Sequence, residues 1–234
     1  MILKDNGIRD IDTWKAYAPP MGKDKQWVDG RSAKELARYM TKNYPVMPVE
    51  IENTLFSLGC VGTEFDWAAE YVTKFEPFGL GRGEGRNHDA FLYNDEIVVG
   101  IEGKADEALG SQLIGQALRS AGLNKMQRIR GMIQMLFGGE PNGYSHLRYQ
   151  LITATSATLL EATKRNVKKA LLLVIVFKKT GCYSEKKLER NNLDIDSFLK
   201  AISAKKVGDY YIIKTPYGKE TGIQLFFKKI EISL

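Results

Sequence analysis

The sequence predicts an α/β or α+β fold in which helices flank a mixed β-sheet. Two strand-like runs, residues 89–93 and 96–104, are separated only by Asn94-Asp95, a pair suited to a tight hairpin turn. A third run, residues 170–177, is apolar throughout and typical of a central strand that is covered on both faces. Segments with helical spacing of apolar residues lie before, between and after these runs.

Length and composition indicate a soluble globular protein. The 234 residues can bury a substantial core, and we expect one compact domain. Within it, residues 1–60 form a helical N-terminal portion packed on a core that comprises residues 61–234 and ends in C-terminal strands. The contents of 44% hydrophobic and 26% charged residues are ordinary, and the net charge of +6 is compatible with a polyanionic partner.

The number of cysteines and the length of the apolar runs indicate the cellular compartment of the protein. Cys60 and Cys182 are the only cysteines, which implies no disulfide framework, although a pairing of these two stays open. We expect a cytoplasmic protein, because thiols stay reduced in that compartment. The run 170–177 is far shorter than the roughly 20 residues of a membrane-spanning helix, and the N-terminus lacks the apolar stretch of a signal peptide. We therefore expect no contact with a membrane.

Two helices are predicted in the first 60 residues. Ser32 and Glu35 have the spacing of a capping box that opens a helix over residues 32–43. A second helix is expected over residues 48–58, with Pro48 at its start and Gly59 at its end. This portion is expected to have a packing role.

The next segment, residues 63–75, is predicted to form a helix that begins at Thr63. Its apolar residues share a stripe at helical spacing that includes Glu64, whereas Glu70 points away from the stripe. The stretch that follows, residues 79–86, is rich in glycine but lacks the Gly-Lys-Ser/Thr ending of a phosphate-binding loop. A flexible loop is the preferred interpretation, with Arg82 and Arg86 as candidate phosphate contacts.

The hairpin has a predicted register. If Asn94 and Asp95 form the loop, Asp89 faces Gly100, and the two faces differ in chemistry. One face includes all the charged residues of the candidate site and consists of Asp89, Phe91, Tyr93, Glu96, Val98, Gly100, Glu102 and Lys104. The other face is apolar and should be buried: Ala90, Leu92, Ile97, Val99, Ile101, Gly103 and Ala105. Gly100 is expected to leave room beside Asp89 for a metal ion and water.

An Asp followed across a hairpin by Glu-x-Lys resembles the core signature of the PD-(D/E)xK nuclease superfamily. The matching residues are Asp89, Glu102 and Lys104, with His88 where the superfamily usually has a proline. The resemblance, over roughly residues 60–180, implies a restriction-endonuclease-like fold with a mixed β-sheet flanked by helices. It also implies that Asp89 and Glu102 bind Mg²⁺ or Mn²⁺, and that Lys104 positions water or stabilises charge on the phosphate.

The resemblance also suggests supporting residues. The superfamily often draws a further acid from the helix before the sheet, for which Glu64 is the candidate. A first-turn acid favoured by the helix dipole is an equally good interpretation of Glu64. Gln150 is a candidate for the polar residue that the helix after the hairpin sometimes contributes. His88 and His146 are expected to have hydrogen-bonded structural roles.

Further elements complete the predicted order of helices and strands. Helices are expected over residues 106–121 (with Asp106 as the cap), 125–137, 145–166 and 194–203, and strands over residues 210–214 and 223–232. The helix over residues 125–137 carries a basic flank that could contact a nucleic-acid backbone: Lys125, Arg128 and Arg130.

The leading functional interpretation is a Mg²⁺- or Mn²⁺-dependent nuclease, a phosphodiester hydrolase acting on nucleic acid and on DNA in particular. One alternative is a catalytically inactive module of the same fold that binds nucleic acid or protein. Another is a structural or regulatory protein whose acids are only solvated, since Glu-x-Lys alone is a weak motif. Metal binding separates the first from the others, and salt-dependent polynucleotide binding separates the first two from the third. The oligomeric state is left open, with a homodimer among the options.

Overall fold

The structure is a computed structural model. It describes residues 1–19, 27–75, 85–178 and 185–234, which form eight strands and eight α-helices. The strands are β1 (Ile2–Leu3), β2 (Glu64–Thr73), β3 (Arg86–Tyr93), β4 (Ile97–Lys104), β5 (Lys169–Lys178), β6 (Lys205–Val207), β7 (Tyr210–Ile213) and β8 (Gln224–Ser233). The helices are α1 (Ile11–Tyr17), α2 (Ser32–Thr41), α3 (Val49–Ser57), α4 (Ile114–Arg119), α5 (Leu123–Phe137), α6 (Tyr149–Lys164), α7 (Glu185–Ala201) and α8 (Pro216–Thr221).

The eight strands form one mixed sheet in the order β1-β2-β3-β4-β5-β8-β7-β6. The three central strands β4, β5 and β8 are parallel to one another. The hairpin partners β2, β3 and β4 are antiparallel, as are β6, β7 and β8 on the other side. The α/β (α+β) class is therefore confirmed, and residues 170–177 form the central strand that the apolar run predicts.

Helices cover both faces of this sheet. Side chains of β5 alternate between two cores: Leu171, Leu173 and Ile175 pack with α1, α2 and α3, whereas Leu172 and Val174 pack with α4, α5, α6 and α7. This alternation explains why the strand reads as a continuous apolar run, since each of its faces meets a helical layer.

The predicted helix over residues 63–75 is wrong, because this segment is the strand β2. Phe65, Trp67 and Ala69 are buried and the residues between them are more exposed, which is the period of two expected for a strand. β1 pairs with one side of β2 and β3 with the other. Backbone pairing with two neighbours therefore outweighs the helical spacing of the apolar residues.

Several helix boundaries also differ from the predictions. α2 begins at Ser32, but Arg31 is its N-cap and the Ser32 hydroxyl donates to Glu107 Oε1 at 3.0 Å instead of capping the helix. The helix predicted over residues 106–121 is reduced to α4, because Gly110 has a left-handed φ of +73° and interrupts it. α7 starts earlier than predicted, and α6 begins four residues later.

Cys60 is buried and its thiol is free, whereas Cys182 lies outside the described residues. Residues 79–84 of the glycine-rich stretch, Arg82 among them, are also outside the described parts of the chain. Within those parts, none of the helices combines the length and the apolar character needed to cross a membrane.

Candidate functional site

The hairpin between β3 and β4 sets the geometry of the site. Phe91 pairs with Gly100, so the predicted pairing of Asp89 with Gly100 is wrong by two residues. The amide of Asn94 donates to Ile97 O at 3.1 Å, and its side chain accepts from the amides of Glu96 and Ile97. The two-residue loop is thus Asp95-Glu96. A shift of two residues preserves the faces of a strand, and extension of this register brings Asp89 opposite Glu102.

The reverse face of the hairpin is buried as predicted. Ala90, Leu92, Val99 and Ile101 have no exposed surface and belong to the core under α1, α2 and α3. Asp89, Glu102 and Lys104 consequently lie on the opposite face, next to α6.

Glu102 is the most deeply buried acid of the site, with 1% of its surface exposed. Its Oε1 accepts from the Arg86 guanidinium, and its Oε2 accepts from Gln150 Nε2 at 2.8 Å. Lys104 Nζ lies 3.8 Å from the same carboxylate. Burial opposes ionisation, but Arg86, His88 and Lys104 outweigh it and lower the pKa of Glu102 to about 2. The carboxylate is therefore ionised at neutral pH.

Asp89 and Lys104 complete the core of the site. Asp89 Oδ2 accepts from the amide of Gly103 at 2.8 Å and lies 3.7 Å from Lys104 Nζ. Lys104 is buried, and its ammonium also donates to Gly103 O at 2.8 Å. Burial raises the pKa of Asp89 to about 6, although Lys104 acts in the opposite direction. A single ammonium is thus placed between two carboxylates.

A third acid, Glu70 on β2, was missed by the sequence prediction. Ala69 pairs with Ala90 and Tyr71 with His88, so the same register sets Glu70 opposite Asp89. Asn87 Nδ2 donates to the Glu70 carboxylate. Burial and the proximity of Asp89 raise the pKa of Glu70 to about 7. Glu70, Asp89 and Glu102 therefore form a row across three neighbouring strands, which we call the acid row.

The backbone of Glu70 is also unusual, since its φ of +48° lies in the left-handed region that non-glycine residues rarely adopt. Such a conformation within a strand costs roughly 1–2 kcal/mol for a residue with a Cβ. Strain of this kind is often found at functional sites. The strained residue here is the acid that lies level with Asp89 on the neighbouring strand.

The sequence-based choice of Glu64 as the supporting acid is not matched by its position. Glu64 is exposed at the first residue of β2, far along the strand from Glu70. A helical stripe puts Glu64 inward and Glu70 outward, whereas a strand puts Glu70 on the face opposite Phe65, Trp67 and Ala69. The alternation of these three residues was the signal that could have identified Glu70.

Within the described parts of the chain, several buried polar atoms close to the acids lack a hydrogen-bond partner. They are Arg86 Nε, Asn87 Oδ1, His88 Nδ1, His88 Nε2 and Gln150 Oε1. Buried polar groups are ordinarily paired, so a concentration of unpaired ones is typical of a site that interacts with something else. Asn87, like Glu70, had not been predicted.

Among the described residues, the only polar partner of the His88 ring is the Glu102 carboxylate, at a distance too long for an ordinary hydrogen bond. Its ring is fully buried, Nδ1 lies 3.5 Å from Glu102 Oε1, and burial lowers its pKa. A Cβ at Gly100 would lie 2.6 Å from His88 Cε1. Gly100 therefore makes room for this imidazole rather than for a metal ion beside Asp89. His146, in contrast, is exposed.

The other basic candidates are distributed unevenly. Arg86 contacts Glu102 inside the site, where Glu102 and Asp89 raise its pKa against the effect of burial. Arg128 is buried on α5, and Lys125 Nζ lies 5.6 Å above the Tyr149 ring. Arg130 is exposed. The predicted basic flank therefore does not form one continuous exposed surface.

The donor atoms of the site suit a hard divalent cation. Asp89 and Glu102 provide carboxylate oxygens, and Asn87 Oδ1 and Gln150 Oε1 are buried carbonyl oxygens that no described residue satisfies. Across the described ranges of the chain, no three His, Cys, Asp or Glu side chains converge closely enough to hold a metal ion. Arg86 instead bonds to Glu102. The types of donor atom are therefore those that Mg²⁺ and Mn²⁺ prefer, while Arg86 occupies one oxygen of the Glu102 carboxylate.

Comparison with known proteins identifies a family over nearly the whole chain. Residues 7–233 match the family described as a domain of unknown function (DUF6946). No curated protein and no solved structure matches the sequence.

Proposed function

The chain belongs to the DUF6946 family, and we propose that it is a Mg²⁺- or Mn²⁺-dependent phosphodiester hydrolase that acts on nucleic acid, DNA in particular. One observation carries this proposal: Lys104 Nζ lies 3.7 Å from Asp89 and 3.8 Å from Glu102, on one face of a hairpin. Two acids that share a lysine suit the binding of a divalent cation beside a phosphate.

In this proposal Asp89 and Glu102 hold the ion through their carboxylate oxygens. The low pKa of Glu102, about 2, keeps this ligand ionised in the absence of a metal. A bound Mg²⁺ would polarise the scissile phosphate and lower the pKa of a bound water. Lys104 supplies a compact positive charge that stabilises the negative charge developing on the phosphate.

Glu70 takes the supporting role that the sequence assigns to Glu64. It lies next to Asp89 in the acid row, and its pKa of about 7 suits a group that accepts a proton near neutral pH. The hydrogen bond from Asn87 orients its carboxylate.

Arg86 has two roles in the proposal. Without a metal ion its guanidinium neutralises Glu102 and makes burial of this carboxylate tolerable. A cation bound at Glu102 would weaken the contact with Arg86 and leave more of its guanidinium available to a substrate phosphate. The net charge of +6 favours the approach of a polyanion.

A catalytically inactive binding module is the second candidate function. It is favoured by the existing partners of Glu102, whose two oxygens each accept a hydrogen bond, one from Arg86 and one from Gln150. In such a module the acids would serve only to fix the fold, and nucleic acid or protein would bind elsewhere.

Calorimetric titration with Mn²⁺ tests the proposal. The parent is expected to bind Mn²⁺, and Asp89→Asn is expected to weaken binding by about tenfold or more, because it removes a charged ligand. Asp95→Asn is the matched control, since Asp95 is an exposed residue of the same hairpin. Absence of Mn²⁺ binding by the parent, or equal affinities of the two variants, would contradict it. Salt-dependent polynucleotide binding without Mn²⁺ binding would support the binding module instead.

A further inference from the structure

A cavity of about 320 Å³ opens directly beside the acid row. Arg86 and Gln150 form part of its wall, and the same two side chains contact Glu102. The cavity and the acids therefore share two residues. Only the side chain of Arg86 or Gln150 would separate Glu102 from a group bound in the cavity.

The wall of this cavity combines aromatic and polar groups. Phe75 and Tyr149 contribute rings, and Gln112 and Gln150 contribute side-chain amides. None of the described residues that line it is acidic. Aromatic rings stack on nucleobases, amides pair with the donor and acceptor edges of bases, and guanidinium groups bind phosphates.

Two of the wall residues carry buried atoms that lack partners. Among the described residues, Gln150 Oε1 and Arg86 Nε have no hydrogen-bond partner, whereas Gln150 Nε2 and Arg86 Nη2 donate to Glu102. Each of these two side chains thus contacts the Glu102 carboxylate through one nitrogen and has another buried polar atom left to pair with a ligand. A ligand that brings both a donor and an acceptor, as a nucleotide does, would satisfy them.

From these observations we propose that the cavity binds one unpaired nucleotide of the substrate, with its base between the aromatic residues and its phosphate towards Arg86. This inference rests on the proposed function, because it assigns the substrate class of the same site. The volume is at the lower end of the range for small-ligand pockets, so it accommodates a single nucleotide and not a duplex. The preferred substrate is therefore single-stranded, where no pairing has to be broken.

The first arm of the test measures binding without cleavage. Deoxyadenosine monophosphate is titrated into the metal-free protein and followed by ligand-observed NMR. Ser111→Trp places a large side chain at an exposed position of the cavity wall and is expected to weaken binding by about tenfold, because it fills space that the nucleotide would occupy. Ser120→Trp is the control, because Ser120 is exposed at the end of α4 and does not line this cavity. Thr153→Met, which fills the cavity from α6, is the second variant.

The second arm compares cleavage of a single-stranded oligonucleotide with cleavage of its blunt duplex in Mn²⁺. The parent is expected to cleave the single strand about tenfold faster or more, and Ser111→Trp is expected to lose this preference while it retains Mn²⁺ affinity. Equal rates on both substrates, unchanged by Ser111→Trp, overturn the inference and leave the hydrolase proposal intact. If the parent cleaves neither substrate, the assignment of DNA as the substrate fails, and binding of the monophosphate in the first arm decides whether the cavity is a nucleotide site. Equal affinity of the parent and Ser111→Trp for the monophosphate overturns the cavity assignment.

Discussion

Gln150 Nε2 donates a hydrogen bond of 2.8 Å to Glu102 Oε2, and this bond connects the first turn of α6 to the buried carboxylate on β4. The same glutamine lines the cavity beside the acid row. Its position means that the helix after the hairpin orients the acid that the hairpin supplies. Mutation of a residue that orients a metal ligand typically weakens metal binding by about 10–100-fold.

Gln150→Ala is therefore expected to weaken Mn²⁺ binding by about tenfold. It also removes a donor from an ionised carboxylate, which is expected to lower the free energy of unfolding by about 1.5–3 kcal/mol. Titration calorimetry and chemical denaturation measure the two effects. Gln134→Ala, at an exposed position of α5, is the control. Identical behaviour of the two variants would contradict the orienting role.

Arg86→Ala is expected to destabilise the metal-free protein by about 3–5 kcal/mol, because it leaves Glu102 buried without its guanidinium partner. The double variant Arg86→Ala/Glu102→Gln should recover part of this loss, since the uncompensated charge is gone. Mn²⁺ should stabilise Arg86→Ala more than it stabilises the parent, because the ion no longer competes with Arg86. Denaturation with and without Mn²⁺ gives all three values. If the double variant recovers no stability, the loss does not arise from the buried charge.

Part of this site could be predicted from the sequence. The grouping of Asp89, Glu102 and Lys104 on one face follows from alternation along the two strands, and it survives an error of two residues in the register. The register itself could not be predicted, because Asn94-Asp95 and Asp95-Glu96 are both two-residue loops. The side chain of Asn94 selects the second loop by accepting from the amides of Glu96 and Ile97.

The supporting acid could not be predicted once β2 had been interpreted as a helix. In residues 64–73 both a helical stripe and a strand alternation are present, and pairing with β1 and β3 decides between them. That pairing joins segments far apart in the sequence. Arg86 and Asn87 were missed as neighbours of the acids for a related reason: they lie on β3, which starts earlier than the apolar pattern indicates.

Glu70 gives the stability of the protein a dependence on pH. Its pKa is raised from 4.5 to about 7 by burial and by Asp89, so between these values the folded state holds a proton that the unfolded state has lost. The free energy of unfolding should therefore fall as pH rises through this window.

A glutamine at position 70 cannot titrate. The variant Glu70→Gln should therefore lack the part of the decrease in the free energy of unfolding that Glu70 causes. The free energy of unfolding of the variant minus that of the parent is the quantity to compare. It is expected to be about 1–3 kcal/mol larger at about pH 8 than at about pH 4. Denaturation at the two pH values measures the difference, and Glu140→Gln, at an exposed position, is the control. A gain that is the same at both pH values would show that Glu70 does not carry the dependence.

Lys104→Met tests whether the lysine acts in turnover while the acids act in metal binding. Lys104 lowers the pKa of Asp89, so its loss should raise this pKa further above the ordinary value of 3.8. Turnover is expected to fall by about 100-fold, because a charge that stabilises the reacting phosphate is lost. Mn²⁺ affinity should be largely retained at a pH high enough to ionise Asp89. Lys205→Met on the exposed edge strand β6 is the control. A loss of Mn²⁺ affinity as large as that of Asp89→Ala would contradict this division of roles.

The central claim, metal-dependent hydrolysis at the acid row, is tested most directly by a cleavage assay. The parent, Asp89→Ala and Glu102→Ala are incubated with single-stranded DNA, duplex DNA and RNA, each with Mg²⁺, with Mn²⁺ and with a chelator. Circular dichroism establishes that the variants are folded. We expect the parent to cleave at least one substrate only with a divalent ion, and both folded variants to cleave none. Cleavage by both variants at the rate of the parent, or no cleavage of any substrate by the parent with either ion, would contradict the claim.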